Sequence, residues 1–306
     1  MQSYAVVGTG AVGGFIGWKL ANAGHDVHFV ARSNYPALLN SGLTICQPDM
    51  EQRLWPISVF PSVDRLPLVD VIIVATKTTD IEHVSAQLAR HQPSTTVVAF
   101  HNGLCPESIY VEASTERVLL GGVAYLTAEL SAPTCVRIEG EHRLVIGPIA
   151  VADEQALSIA TEVVEQLSAA GLQTDLSSHL RTDRWHKIAW SLIFAGPCTI
   201  LDVDTNQLVR SPTLRALQEQ IFCETKAVAR ADGVMLPSSE IAVMIADAAS
   251  SPGHVVSMTI DRRRGRPLED DAIYGAVCRR AVELGIRTPV LDTVHSLLTF
   301  TLERSK

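Results

Sequence analysis

Over its first half the chain alternates short apolar runs with polar, glycine-punctuated connectors. Over its second half it turns to longer amphipathic stretches. Tyr4-Ala-Val-Val predicts a strand that runs straight into Gly8-x-Gly10-x-x-Gly13, and 11–23 predicts a helix ended by Gly24. His25–Arg32 predicts a second strand. Asp70–Thr76 and Thr95–His101 are continuous apolar runs of the kind a parallel sheet buries on both faces, with a helix expected over 81–90 between them. Val118–Gly121 predicts another strand, and 135–138 with 143–146 predicts a hairpin around Gly140-Glu-His142. Strands alternating with helices imply a doubly wound sheet. From about residue 153 the period becomes helical: 153–170, 183–193, 213–232, 238–249, 255–262, 272–284 and 290–302. One short strand over 172–176 interrupts them, and Pro197, Pro212, Pro237, Pro252, Pro267 and Pro289 break the pattern. The expected fold class is α/β, with an N-terminal doubly wound sheet over 1–177 and an all-helical domain over 178–306.

Composition narrows the classes. The 306 residues are 47% hydrophobic, enough for one large or two ordinary domains with sizeable cores. The formal net charge of −8 argues against a nucleic-acid partner. No apolar run reaches membrane-span length, and a strand already begins at residue 4, so a cytoplasmic protein is expected. Six scattered cysteines without C-x-x-C spacing read as reduced core residues of a cytosolic chain. The ten histidines show no metal-ligand spacing, so no metal is assigned. The basic run Arg262-Arg-Arg-Gly-Arg266 reads equally as a solvated loop and as a group near an anion.

The glycine run carries the chemistry of the first half. Gly8 permits a tight turn, Gly10 lets backbone approach a pyrophosphate, and Gly13 lets the helix pack on the strand. With Thr9, Ala11 and Val12 these residues make a candidate dinucleotide loop at a helix N-terminus, where N–H groups face an anion. The predicted second strand ends in Ala31-Arg32-Ser33 and offers no carboxylate for a ribose hydroxyl. A guanidinium there can fork onto a 2′-phosphate, which favours NADP(H) over NAD; Arg32 as an ordinary exposed loop residue is the alternative.

Four further segments follow in order: Ala75-Thr-Lys77-Thr-Thr-Asp80, His101-Asn102-Gly103, Trp185-His-Lys187-Ile-Ala, and Ser257-Met258 followed by Glu269 and Asp271. With the glycine loop, and with the closing Glu269–Val277 and Gly285-Ile-Arg-Thr-Pro289, they resemble the ketopantoate reductase (2-dehydropantoate 2-reductase) family from Val6 to about Leu298. The resemblance implies a Rossmann domain, a helical domain and an active cleft between them. It implies cofactor contacts from Arg32, Lys77, Asn102 and Glu269, Lys187 as the catalytic group, and substrate contacts from Asn102, Asn206 and Ser257. The implied reaction is NADPH-dependent reduction of a 2-keto acid, most simply 2-dehydropantoate to pantoate in pantothenate synthesis. An ammonium suits that reaction, because charge develops on the carbonyl oxygen and a desolvated Lys gives up its proton readily.

The sequence also departs from the family. Where the family has an Asn four residues after the catalytic Lys, Ser191 stands as a partial replacement. Where it has a second Asn just before the Pro, this chain has Ala195 or Gly196, depending on where its extra residue is placed. Lost amides of this kind shift specificity, so another branched 2-keto acid or an imine is an alternative substrate. A non-catalytic NADP-binding regulator on the same scaffold is the alternative from another class. The long apolar C-terminal helices are compatible with a homodimer and equally with a monomeric domain.

Overall fold

The computed structural model describes residues 2–104, 109–110, 118–149, 154–250 and 253–303. The chain divides into two compact units: Met1–His101 with Pro106–Leu180, and Asn102–Cys105 with Arg181–Lys306.

The first unit is built on one sheet. In chain order its elements are β1 (Ser3–Val7), α1 (Ala11–Asn22), β2 (Asp26–Val30), α2 (Tyr35–Ser41), β3 (Leu43–Gln47), β4 (Met50–Leu54), β5 (Ser58–Phe60) and β6 (Val71–Val74). Then follow α3 (Ile81–His91), β7 (Thr96–Phe100), β8 (Leu119–Ala132), β9 (Cys135–Pro148), α4 (Glu154–Ala169) and β10 (Thr174–Leu176). The sheet order is β4-β3-β9-β8-β7-β6-β1-β2-β5, with β10 beside β9. From β5 to β8 every neighbour is parallel. Alternate residues of one strand serve opposite faces. Tyr4 and Val6 of β1 pack with Phe15, Ile16 and Leu20 of α1, while Ala5 and Val7 join Ile81, Val84 and Leu88 of α3. Both faces are therefore covered, which is why all four residues of β6 are buried and why that run is uniformly apolar. β1 lies between β2 and β6, the point where the chain's winding reverses and where ligands of such sheets bind.

Two expectations fail here for local reasons. The hairpin around 140–142 does not form: β9 runs unbroken beneath β8, and the shift at Leu126/Thr127 absorbs the extra residues. Gly140 adopts φ +66° within the resulting bulge, and the turn falls instead at 133–134. The strands β3 to β5 escaped the sequence pattern because β4, at the sheet edge, is Met-Glu-Gln-Arg-Leu and mostly polar.

The second unit is helical: α5 (Leu180–Leu201), α6 (Thr205–Val209), α7 (Pro212–Ala231), α8 (Glu240–Ser250), α9 (Ser257–Arg263), a π-turn (Asp271–Gly275), α10 (Ala276–Glu283) and α11 (Pro289–Glu303). Its core gathers Trp185, Leu192, Phe194, Ile221, Phe222, Tyr274, Leu291 and Leu298 around α5, which is buried almost all round from Ile188 to Thr199. α5 does not end near residue 193 as predicted but continues through Pro197. Among the described residues no helix is long and apolar enough to cross a membrane.

Candidate active site

In the first unit the glycine loop joins the C-terminal ends of the central strands. The Gly8 and Thr9 amides both donate to the Val30 carbonyl at the end of β2, and the Ala75 amide after β6 donates to Val7. Gly8 sits at φ +97°, and a Cβ there would lie 2.7 Å from the Thr76 nitrogen; at Gly13 a Cβ would lie 2.2 Å from the Gly8 carbonyl oxygen. Both positions are therefore closed to any other residue. Gly10 differs: a Cβ there meets nothing within 4 Å. It is the N-cap of α1, whose first turn carries no acidic residue and no side-chain cap. This bare helix start beside open space fits a pyrophosphate, and the amides of Ala11, Val12 and Gly13 are the donors that would hold it.

Arg32 lies just past β2, mostly exposed, with its guanidinium forked onto Asp80 at 2.9 and 3.3 Å. A 2′-phosphate would have to share or replace that carboxylate. Lys77 follows β6 and is half-buried at the head of the turn Thr78–Asp80. Asn34, which sequence reasoning passed over, donates to the Thr9 and Pro133 carbonyls at 3.0 and 3.1 Å and straps the loop to the β8–β9 turn.

In the second unit Lys187 lies midway along α5, and both ends of that helix are fixed. At the N-terminal end Asp232, with its side chain 1% exposed, receives the Arg181 guanidinium, Trp185 Nε1 at 2.9 Å and Arg280 Nε at 2.6 Å. Burial pushes the Asp232 carboxyl up, but these donors outweigh it and hold the group below its usual value. At the other end Pro197 has no N–H for the Ile193 carbonyl one turn back. Buried Gln218 supplies the missing donor at 3.3 Å. One residue earlier, the buried Tyr274 hydroxyl donates to the Leu192 carbonyl and takes up the Gly196 N–H. A Cβ on Gly196 would stand 2.2 Å from that hydroxyl oxygen, so no side chain fits there. Arg262 closes the helix on the Thr199 and Ile200 carbonyls, Arg263 pairs with Asp202, and Arg266 lies 3.8 Å from Asp261. The basic run thus caps a helix and makes ion pairs.

Burial lowers the Lys187 ammonium to about 8, and Arg184 one turn earlier pushes the same way while Glu269 pulls it back up. Arg184 is only 4% exposed and was not foreseen. Glu269 accepts a hydrogen bond from Asn102 Nδ2 at 2.9 Å across 167 residues of sequence, and the Leu104 amide reaches the Ala272 carbonyl. The structure therefore brings Asn102, Lys187 and Glu269 into one electrostatic group. Ser191 is half-buried one turn beyond Lys187, and its hydroxyl donates to the Lys187 carbonyl at 3.1 Å, leaving lone pairs rather than the proton for a ligand. Asn206 commits its amide nitrogen to the Ala248 and Ala249 carbonyls at 3.3 and 3.1 Å, tying α6 to the end of α8. Ser257 is the exposed first residue of α9.

A doubly wound sheet with an open glycine loop, joined to a helical unit that carries a lysine of lowered pKa, is the construction of a nicotinamide-dependent oxidoreductase. Two family models match the chain: "Ketopantoate reductase PanE/ApbA" over residues 4–150 and "Ketopantoate reductase PanE/ApbA C terminal" over residues 179–301. A 2-dehydropantoate 2-reductase from Nostoc sp. is 30% identical, with 98% of this chain and 95% of the relative covered. The crystal structure of 2-dehydropantoate 2-reductase from Geobacter metallireducens superposes with a TM-score of 0.91 at 27% identity, covering 99% of this chain and 100% of the other. The fold is shared with a ternary structure of D-mandelate dehydrogenase, NADH and anilino(oxo)acetate at a TM-score of 0.92 and 23% identity, with 99% of each chain covered. The chain belongs to the ketopantoate reductase family and is an oxidoreductase.

Proposed function

We propose that the protein reduces a 2-keto acid with NADPH, with 2-dehydropantoate the first substrate to test and (R)-pantoate its product, as a cytoplasmic enzyme of pantothenate synthesis. The observation that carries this reading is the half-buried Lys187, lowered to about 8 beside Arg184 and Glu269. The residues 1–177 bind NADP(H) through Gly8–Gly13, Arg32 and Lys77, and 178–306 carry the catalytic group. NADPH supplies a hydride to the carbonyl carbon. Lys187 hydrogen-bonds the carbonyl oxygen, offsets the negative charge that develops there and gives it a proton. Arg184 favours release of that proton. Glu269 keeps enough of the ammonium charged at neutral pH, and Asn102 holds the Glu269 carboxylate in place. Ser257, Ser191 and Asn206 are the polar contacts for the substrate. The decisive experiment measures initial rates of NADPH oxidation with 2-dehydropantoate beside pyruvate, 2-ketoisovalerate and 2-ketoisocaproate. Turnover of 2-dehydropantoate well above the others supports the assignment, and no acceleration by any of them overturns it.

A second reading has a specific observation behind it. Gly196 is sealed by the Tyr274 hydroxyl and Ala195 lies in the core, so neither offers the substrate an amide. A different branched 2-keto acid leading in the same panel would establish that reading.

The electrostatics set the pH dependence. A general acid must be protonated, so kcat/KM is expected to fall as pH rises through about 8. Glu269→Gln removes the group that raises the Lys187 value and moves this limb to lower pH, whereas Arg184→Gln removes a lowering cation and moves it higher. Limbs that stay in place in both variants would detach the descending limb from Lys187.

Arg32→Gln is expected to raise KM for NADPH by roughly tenfold to a hundredfold, the worth of a charge-assisted pair, and to leave KM for NADH nearly unchanged. Equal effects on the two cofactors would show that Arg32 does not touch the 2′-phosphate.

A further inference from the structure

The sequence reads its cysteines as reduced core residues, but the fold brings two of them together near one edge of the sheet. Cys46 of β3 and Cys135, the first residue of β9, are 89 residues apart in sequence, and their Sγ atoms lie 3.0 Å apart. β3 and β9 are parallel neighbours in which Thr44 pairs with Cys135 and Cys46 with Arg137. The two thiols therefore occupy diagonal positions on one face of adjacent strands. Their separation is about 1 Å more than a sulfur–sulfur bond. Both residues are half-buried, so a small oxidant can reach them. Among the described residues no other pair of cysteines is hydrogen-bonded: Cys198 is buried in the helical core, Cys223 is exposed and Cys278 is half-buried.

We propose that Cys46 and Cys135 form a reversible dithiol–disulfide site, oxidised by a hydroperoxide. The hydrogen bond to Cys135, then burial and the nearby Glu51, push the Cys46 thiol up to about 11. Either sulfur, once ionised, can be the nucleophile; with Cys135 in that role the step balances. The Cys135 thiolate attacks the outer oxygen of the hydroperoxide, the O–O bond breaks, an alcohol (water, for hydrogen peroxide) leaves with the proton, and Cys135 becomes a sulfenic acid. Cys46 then gives up its proton and its sulfur displaces the hydroxyl as water. In sum two thiols and one hydroperoxide give one disulfide, one alcohol and one water, with both sulfurs oxidised and the peroxide reduced. The bridge staples β3 to β9 two residues beyond Pro133, whose carbonyl Asn34 straps to Thr9 of the glycine loop.

The test uses the full-length protein, first reduced, then treated with one equivalent of hydrogen peroxide, alkylated and digested with trypsin. Cleavage after Arg32, Arg53, Arg117 and Arg137 leaves Cys46 and Cys135 as the sole cysteines of the fragments 33–53 and 118–137. The expected result is that these two fragments appear joined, and separate again with dithiothreitol. Cys46→Ser and Cys135→Ser are each expected to lose the link, and dimedone is expected to trap a sulfenic acid on the cysteine that remains in at least one of them. Two outcomes overturn the proposal: oxidation of either fragment while the two stay unlinked in the wild-type protein, or a link that joins one of them to a third cysteine. The wild-type measurement decides whether or not a variant folds, and it does not depend on which keto acid the enzyme reduces.

Discussion

Lys187→Ala is expected to lower kcat by roughly a thousandfold while NADPH still binds with its wild-type affinity. The size follows from what a positioned proton donor and a charge facing a developing oxyanion each contribute. The same substitution is not expected to weaken the fold. Burial disfavours the charged form of Lys187, so its folded value of about 8 lies below the ordinary lysine range. The unfolded chain then holds more protons than the folded one between about pH 8 and 10.5, and the ammonium costs stability at every pH below that window. Removing it relieves the cost. A variant that is inactive, binds NADPH and melts no lower than wild type separates a chemical role from a structural one. Lys187→Arg restores little, since a guanidinium keeps its charge and cannot hand over the proton. Undiminished turnover in Lys187→Ala would refute the proposed mechanism.

Asp232→Ala is expected to cost about 3 kcal/mol of folding stability, read from the urea midpoint of the intact chain. The Arg181 and Arg280 guanidiniums are partly exposed and recover water when the carboxylate goes, which limits the loss. Trp185 is fully buried and its Nε1 has no such recourse. The sign of the pH dependence follows from the lowered carboxyl. Its contribution is complete above about pH 4, the unfolded aspartate value, and is lost as pH falls through the lower folded value. The variant should therefore differ most from wild type near neutrality and converge with it in strong acid. A constant difference at all pH values would show that packing, not charge, holds this junction.

Much of the first unit was legible because its signals are local. A glycine whose Cβ has no room, as at Gly13, leaves a mark in the sequence, and a strand buried on both faces, as at Val71–Val74, shows as an unbroken apolar run. The hairpin misread at 140–142 came from taking Gly140 as a turn when the fold uses it to absorb residues within a long ribbon. In the second unit the helices were legible but their joints were not. Pro197 ends a helix in isolation; inside this core Gln218 answers the stranded Ile193 carbonyl, and the helix goes on. That compensation lies 25 residues away and leaves no pattern near the proline. Asn102 and Glu269 were singled out through resemblance, since nothing local connects residues 167 apart. Arg184 and Asp232 drew no notice because each is an ordinary helix charge until the partner it meets is known.

The hydroxyl that Tyr274 inserts beside Gly196 has a practical corollary for anyone redesigning this enzyme. With Val294, whose Cγ1 would lie 2.8 Å from a Cβ at 196, the two positions form a single mutable unit. A library varied at 196 alone collides with the phenol ring in every member, and the screen returns only wild type. Room for a side chain at 196 is therefore to be sought in variants that truncate Tyr274 and trim Val294 together.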